Sequence, residues 1–268
     1  MSTVPLLDDL WTDYVASTPQ AESIRDLLAT RGELIHHDNL ALWTYAMPGI
    51  DTEALRGTFE ELGWRARERH PIDVRHVCSR AWQHPDPELP KVVIAELAVA
   101  QLSSRAQEII AELVAQLPAR FARCGLTGIG RPWQLAHADY MVLLAESPHA
   151  AWVAAFGPRA HHFTIDVGAL ATFPDLVALD AFLIEHGFPV DCREPAGEEH
   201  ATTRADAIEV EFLDATVRIP AGTYELVLPA RTVRERGEIV VELEQHVDID
   251  THELHTHSTR GGPAHHRG

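Results

Sequence analysis

The sequence predicts an α+β fold of two βαβββ-like halves, with helices at the N-terminus and a helical insertion between the halves. Three observations predict it. Stretches with the period-2 alternation of half-buried strands fall in two groups, at about 33–100 and 159–231. Between them, about 101–158, the apolar spacing is helical. Each group also runs strand, helix, then several strands, so the order repeats although the residues do not. Paired modules of this kind can curl into a shared half-barrel around a cavity, which suits a small-molecule metal site.

Length and composition allow one large folded domain or two small ones. The chain has 268 residues and 46% hydrophobic content, enough for a large core. Its net charge of −18 argues against nucleic acid or an anionic membrane as partner. A small anionic substrate stays compatible, because one local cation outweighs a distant acidic surface. Cys78, Cys124 and Cys192 form neither a CxxC pair nor a disulfide framework, which points to core residues in a reducing cytoplasm. Asp8 and Asp9 stand where a secretory signal needs basic residues, and no apolar run reaches membrane-spanning length. The expected location is therefore the cytoplasm.

The elements follow in order. Leu6, Leu7, Leu10, Trp11 and Tyr14 have helical spacing over Leu6–Ala16; Pro19 interrupts this helix, and a second follows to about Thr30 and stops at Gly32. Leu34–Tyr45 reads as a strand: alternation puts His37, Asn39, Ala41, Trp43 and Tyr45 on one face and Leu40 and Leu42 on the other. The apolar face reads as core, the polar-aromatic one as a pocket wall or a solvated face. Asp51 can cap a helix over Thr52–Leu62 that stops at Gly63. Strands are expected at Trp64–Arg67, Val74–Cys78 and about Val92–Ala98.

Ser104 and Gln107 suggest a capping box for a helix to about Leu117. Cys124–Pro132 is a loop whose glycines do not match a phosphate-binding fingerprint. Trp133–Glu146 and His149–Ala155 are helical. Gly157 and Pro158 then break the chain into a strand where Phe163, Ile165 and Val167 alternate with His162, Thr164 and Asp166. Strict alternation sends His161 and His162 to opposite sides. A helix follows over Asp175–Glu185, then strands near Phe188–Cys192, His200–Arg204, Ala207–Arg218 and Thr223–Leu228, with a turn at Ala221–Thr223. The tail, about 232–268, is polar and rich in histidine, and reads as solvated chain able to bind transition metals adventitiously.

A lone strand histidine is more often a hydrogen-bonded or surface residue than a ligand, so spacing alone does not assign His162. Several segments in series add to it: IHHDNLALWTY, LPKVVIAELAVAQLS, AAWVAAFGPRAHHFTIDV, LDAFLIEHGFPV, EEHATTRADAIEVEF and AGTYELVLPAR. Together, over about Leu6–Arg231, they resemble the 2-oxoadipate dioxygenase/decarboxylase family. The resemblance implies a vicinal-oxygen-chelate-like fold, a single domain over 1–231, and a non-haem Fe(II), or another divalent metal, held by two His and one Glu. His162 in HHFT matches the family's second metal His, and Glu225 in TYEL its metal Glu.

The first metal His and the substrate-binding Arg are replaced, by Asn39 and Trp43. An amide is a weaker Fe(II) ligand than imidazole, and an indole cannot make the bidentate pair of Arg with a carboxylate. His37, roughly 6.5–7 Å from Asn39 along the strand, His200, which stands at a family Gln near the substrate, or Asn39 itself would complete the triad. The implied activity is Fe(II)- and O2-dependent decarboxylation of a small 2-oxo acid or related carboxylate other than 2-oxoadipate, with an apolar part of the substrate packed on Trp43. The alternative is a metal-dependent isomerase, lyase or hydrolase, or a small-molecule binder, on the same fold.

Overall fold

A computed structural model describes residues 3–67, 76–118, 121, 130–193 and 199–228. Helices α1 (Thr3–Ser17) and α2 (Pro19–Thr30) lead into a first module of β1 (His37–Tyr45), α3 (Thr52–Glu60), β2 (Arg65–Ala66), β3 (Val77–Gln83) and β4 (Lys91–Leu97). The insertion holds α4 (Ser104–Val114), α5 (His137–Glu146) and α6 (Pro148–Phe156). The second module is β5 (Arg159–Asp166), α7 (Leu176–Glu185), β6 (Val190–Arg193), β7 (Glu199–Thr203) and β10 (Thr223–Leu228). Strands β8 (Ala207–Glu211) and β9 (Thr216–Pro220) form a separate hairpin between β7 and β10.

The expected repeat is present as one eight-stranded sheet of order β2-β3-β4-β1-β5-β10-β7-β6. In each module the first strand pairs in parallel with the last, which pairs antiparallel with the strand before it. The modules join through the antiparallel pair β1–β5. One sheet face, with Leu40, Leu42, Phe163, Ile165, Tyr224 and Leu226, packs on α1, α2, α3 and α7. The other, with Trp43, Tyr45, Ala95 and Leu97, packs on α4, α5, α6 and the hairpin. Each fully buried Leu or Phe contributes about 1.5–3 kcal/mol, so both faces anchor the modules. No helix among the described residues is long and apolar enough to cross a membrane.

Several boundaries differ from the sequence expectation. Asp51 caps α3 as expected, accepting from Ala54 N at 2.8 Å. The cap of α4 is Ser103, not Ser104: its hydroxyl accepts from Ala106 N, while Gln107 donates back to the Leu102 carbonyl. Residues 133–136 stay outside α5, because Trp133 turns inward to donate to the Ala154 carbonyl. The strand expected at Val74–Cys78 lies at Val77–Gln83, and 68–75 fall outside the described residues. The strand candidate Ala207–Arg218 is two strands around a turn where Phe212 N donates to the Ala215 carbonyl. Most of the expected loop Cys124–Pro132, and the whole His-rich tail, lie outside the described residues.

The largest departure is in the central pair. His37 pairs with Ile165 and Asn39 with Thr164, so Asp38 is an extra residue in β1. Ala41 pairs with His162 and Leu42 with Ala160, so His161 is an extra residue in β5. Each is a β-bulge, and each lies two residues before the shared pair Leu40–Phe163. Asp38 and His161 therefore correspond in the two modules, and so do Asn39 and His162. A bulge breaks strict alternation. His161 and His162 accordingly do not point apart: their Nδ1 atoms are 3.1 Å from each other. Nor do His37 and Asn39 share a face, since His37 turns to Trp11, Phe163 and Tyr224 in the other core.

Helices α1 and α2 brace the entry to β10. Tyr14 donates to the Thr223 carbonyl and Gln20 to the Gly222 carbonyl, while Arg159 at the start of β5 is paired with Asp13. A Cβ on Gly222 would overlap the His161 carbonyl oxygen and lie 2.7 Å from Thr18 Oγ1. Gly222→Ala is expected to lower stability by roughly 1–3 kcal/mol. Gly57→Ala, on α3 with open space around it, is expected to raise it by about 0.5–1 kcal/mol. Urea unfolding of both variants checks the pair, and equal effects would contradict the packing described.

Candidate functional site

Register brings three of the sequence-selected side chains together on the insertion-facing side of the sheet. On β10, Thr223 lies beside His162 of β5, Glu225 lies between Thr164 of β5 and Thr202 of β7, and Val227 opposes His200. Alternation then aims Thr223 and Glu225 to the same side as His162, while Tyr224 and Leu226 fill the opposite core. His162 Nδ1 lies 3.3 Å from Glu225 Oε1, and His200 Nε2 is hydrogen-bonded to Glu225 Oε2 at 3.1 Å. The Thr223 hydroxyl donates to Glu225 Oε1 at 3.3 Å.

The Glu225 side chain is only 12% exposed. Burial alone would raise its carboxyl, but His162, and then His200 and Thr223, more than offset this and hold it below the usual carboxylate range. Glu225 is thus an anion at neutral pH. His162 is pushed down by burial, against the upward pull of Glu225, and His200 lowers it further. A neutral imidazole beside a buried carboxylate is what a metal-binding pair requires, because a protonated ring cannot ligate.

The other candidates are placed differently. Asn39 Oδ1 accepts from the Thr164 hydroxyl at 3.3 Å and Asn39 Nδ2 donates to Asp38, so its amide is engaged within the sheet. His37 is hydrogen-bonded to the Tyr224 hydroxyl at 2.8 Å on the other face, and the structure does not bring it to His162 or Glu225. Burial pushes its pKa down to about 4, helped by Arg25 and His36.

Trp43 is 6% exposed, with both indole faces covered. His161 stacks on one at 3.6 Å and 4°, and His149 stacks at 4.3 Å and 12°. This corrects the expectation that substrate packs on Trp43, since no ring face is left for it. Residues that sequence reasoning did not place at the site are Thr223, Thr164, His149 and Trp152. Only Thr223 had a local signal, lying two residues before Glu225 on one strand face.

The donor set fits a divalent transition metal in kind: imidazole nitrogens and one anionic carboxylate, buried together. The side chains form a hydrogen-bonded chain rather than a closed cage, and among the described residues no three His, Cys, Asp or Glu are already converged on one ion position. At the start of β1 is a cavity of about 270 Å³ lined by His36, His37, Asp38, Glu88, Lys91 and Asp166 among others, and none of His162, His200, Thr223 and Glu225 lines it. Lys91 pairs there with Asp38 at 3.0 Å.

Comparisons with known proteins bear on the fold. No protein-family model matches the chain. It is 25% identical over 252 residues to the chloroplastic 2-oxoadipate dioxygenase/decarboxylase of Arabidopsis thaliana, covering 84% of this chain and 68% of that one. A Shewanella frigidimarina structure provisionally named a hydrolase is 31% identical, with TM-score 0.81 over 89% of this chain and 96% of that one. The Oryza sativa hydroxyglutarate synthase in complex with 2-oxoadipate has the same fold, with TM-score 0.76, 22% identity and coverage of 96% and 86%. So does a Ralstonia eutropha protein of the glyoxalase superfamily, with TM-score 0.68, 20% identity and coverage of 83% and 81%. The paired modules are therefore of the vicinal-oxygen-chelate type.

His149 supplies a pH test of the stack behind the site. Burial holds its pKa down to about 4, against a partial upward pull from the Thr44 carbonyl. The fold thus favours the neutral ring, and this stability is complete above the unfolded value of about 6.5 and lost as pH falls towards 4. The loss amounts to about 2 kcal/mol at pH 5. His149→Phe is expected to remove that component and narrow the difference between unfolding free energies at pH 7.5 and pH 5. An unchanged difference would show that the ring is not held neutral.

Proposed function

This chain is a divergent member of the 2-oxoadipate dioxygenase/decarboxylase family, and from that premise we propose that it is a metal-dependent dioxygenase/decarboxylase of a small 2-oxo acid or related carboxylate. The observation that carries the reading is the buried contact of His162, Glu225 and His200 across β5, β10 and β7. His162 and Glu225 stand at the family's matching positions, and His200 is the sequence-selected imidazole that reaches them. These residues would hold Fe(II). When bound, it would polarise the 2-oxo group and supply the redox chemistry with O2.

The chain's own contribution is orientation and charge. Glu225 enters as an anion, held by Thr223 and the two imidazoles. His162 and His200 direct their nitrogens at it from neighbouring strands, so the site is set by sheet register rather than by a loop. Trp43 removes the guanidinium that would pair with a distal carboxylate, so the favoured substrate is not 2-oxoadipate.

A second reading, a metal-dependent hydrolase or other non-redox enzyme, draws on the loss of an imidazole at Asn39 and on the name of the Shewanella frigidimarina relative. Protein purified and reconstituted without oxygen separates the two. The first reading expects stoichiometric iron and O2 uptake matched by CO2 release when a panel of 2-oxo acids is supplied. It also expects a loss of at least about 10²-fold in His162→Ala and Glu225→Gln, roughly 2.7 kcal/mol in the barrier. Protein that holds no iron and consumes no oxygen with any member of the panel would sink it.

A further inference from the structure

We infer that His161 is a further nitrogen ligand of the proposed metal site, beside His162, His200 and Glu225, and supplies the imidazole that Asn39 cannot. This rests on the metal reading above and deepens it.

The argument begins with the bulge in β5. By regular alternation His161 would face the opposite core. As the extra residue of the strand it turns instead to the same side as His162, leaving the two Nδ1 atoms 3.1 Å apart. Two donors with metal–nitrogen bonds of about 2.1 Å at right angles would be about 3 Å apart. The next contact, His162 Nδ1 to Glu225 Oε1, is 3.3 Å. His161 and Glu225 thus both approach His162 Nδ1 at about the spacing of neighbouring donors, and rotation of their side chains would bring the three onto one ion.

The His161 ring is also held. Its face lies flat on Trp43 at 3.6 Å, and Trp152 meets it edge-on at 4.9 Å and 68°. His149 backs the far side of Trp43, and Trp152 is fixed by donating to the Ala221 carbonyl at 3.1 Å. Ordering an imidazole in this way lowers the entropy cost of ligation. Ala41 opposite His162 is small and adds no bulk there.

Two departures from the family then have one explanation. Asn39 removes an imidazole from β1. Trp43, on the same face four residues later, no longer offers a guanidinium to substrate, and instead holds the replacement imidazole from β5. Asn39 of β1 corresponds to His162 of β5 across the two modules, and His161 is the residue next to it.

The test is anaerobic titration of the full chain with Fe(II), and with Co(II) for its visible spectrum. His162→Gln/Glu225→Gln defines the background from the His-rich tail, and thermal unfolding checks that each variant folds. His161→Gln is expected to weaken site binding by about ten-fold or more and to change the Co(II) spectrum. Adding Asn39→His to His161→Gln is expected to restore binding. Trp43→Leu, which leaves every ligand in place, is expected to weaken it less, and His37→Gln to leave it unchanged. If His161→Gln binds and absorbs like wild type while His162→Gln/Glu225→Gln loses the site, His161 is not a ligand and the metal site stands without it. If wild type binds no more metal than that double variant, both readings fall.

Discussion

A carboxylate buried in the middle of a sheet is the constraint on which the site depends. Glu225 lies on β10 with strands on both sides, and its charge cannot be left alone there. His162 from β5, His200 from β7 and Thr223 from its own strand answer it. That compensation exists only if β10 is inserted between β5 and β7, which the parallel crossover of the second module achieves. The helices before the first module then matter to a site they do not enter, because Tyr14 and Gln20 fix the backbone from which β10 starts. Removing one partner of such a buried group leaves an uncompensated charge, typically a loss of about 3–5 kcal/mol.

The paired bulges at Asp38 and His161 decide what surrounds that carboxylate. They occupy equivalent places in the two modules but have opposite consequences. In β1 the bulge takes His37 away from the site and gives it to Tyr224. In β5 it delivers His161 to the site and to Trp43. One device, an extra residue before the central pair, thus subtracts a histidine on one side and adds one on the other.

The comparisons and the geometry meet at this point. Relatives with 2-oxoadipate in their names are 25% identical to this chain or, at 22% identity, share its fold. Set against the family motifs that the sequence resembles, Asn39 and Trp43 of β1 differ, while His162 of β5 and Glu225 of β10 match.

Much of the fold was legible in the sequence. Period-2 stretches, Asp51 as a cap and glycines after α2 and α3 marked the elements, and their order showed the repeat. His162 and Glu225 could be selected from motifs, because short segments kept in order carry identity even when each is weak. His200 was an open alternative that the structure brought into contact. The faces of His37 and His161 could not be read, since alternation assumes one residue on each strand per pair, and a bulge is visible only once the partner strand is known. The role of Trp43 was hidden for a related reason. Its stacking partners come from α6 and β5, over a hundred residues away, and local sequence holds no information about distant packing. The sequence determined which residue types were available. Tertiary pairing decided which side of the sheet each one reached.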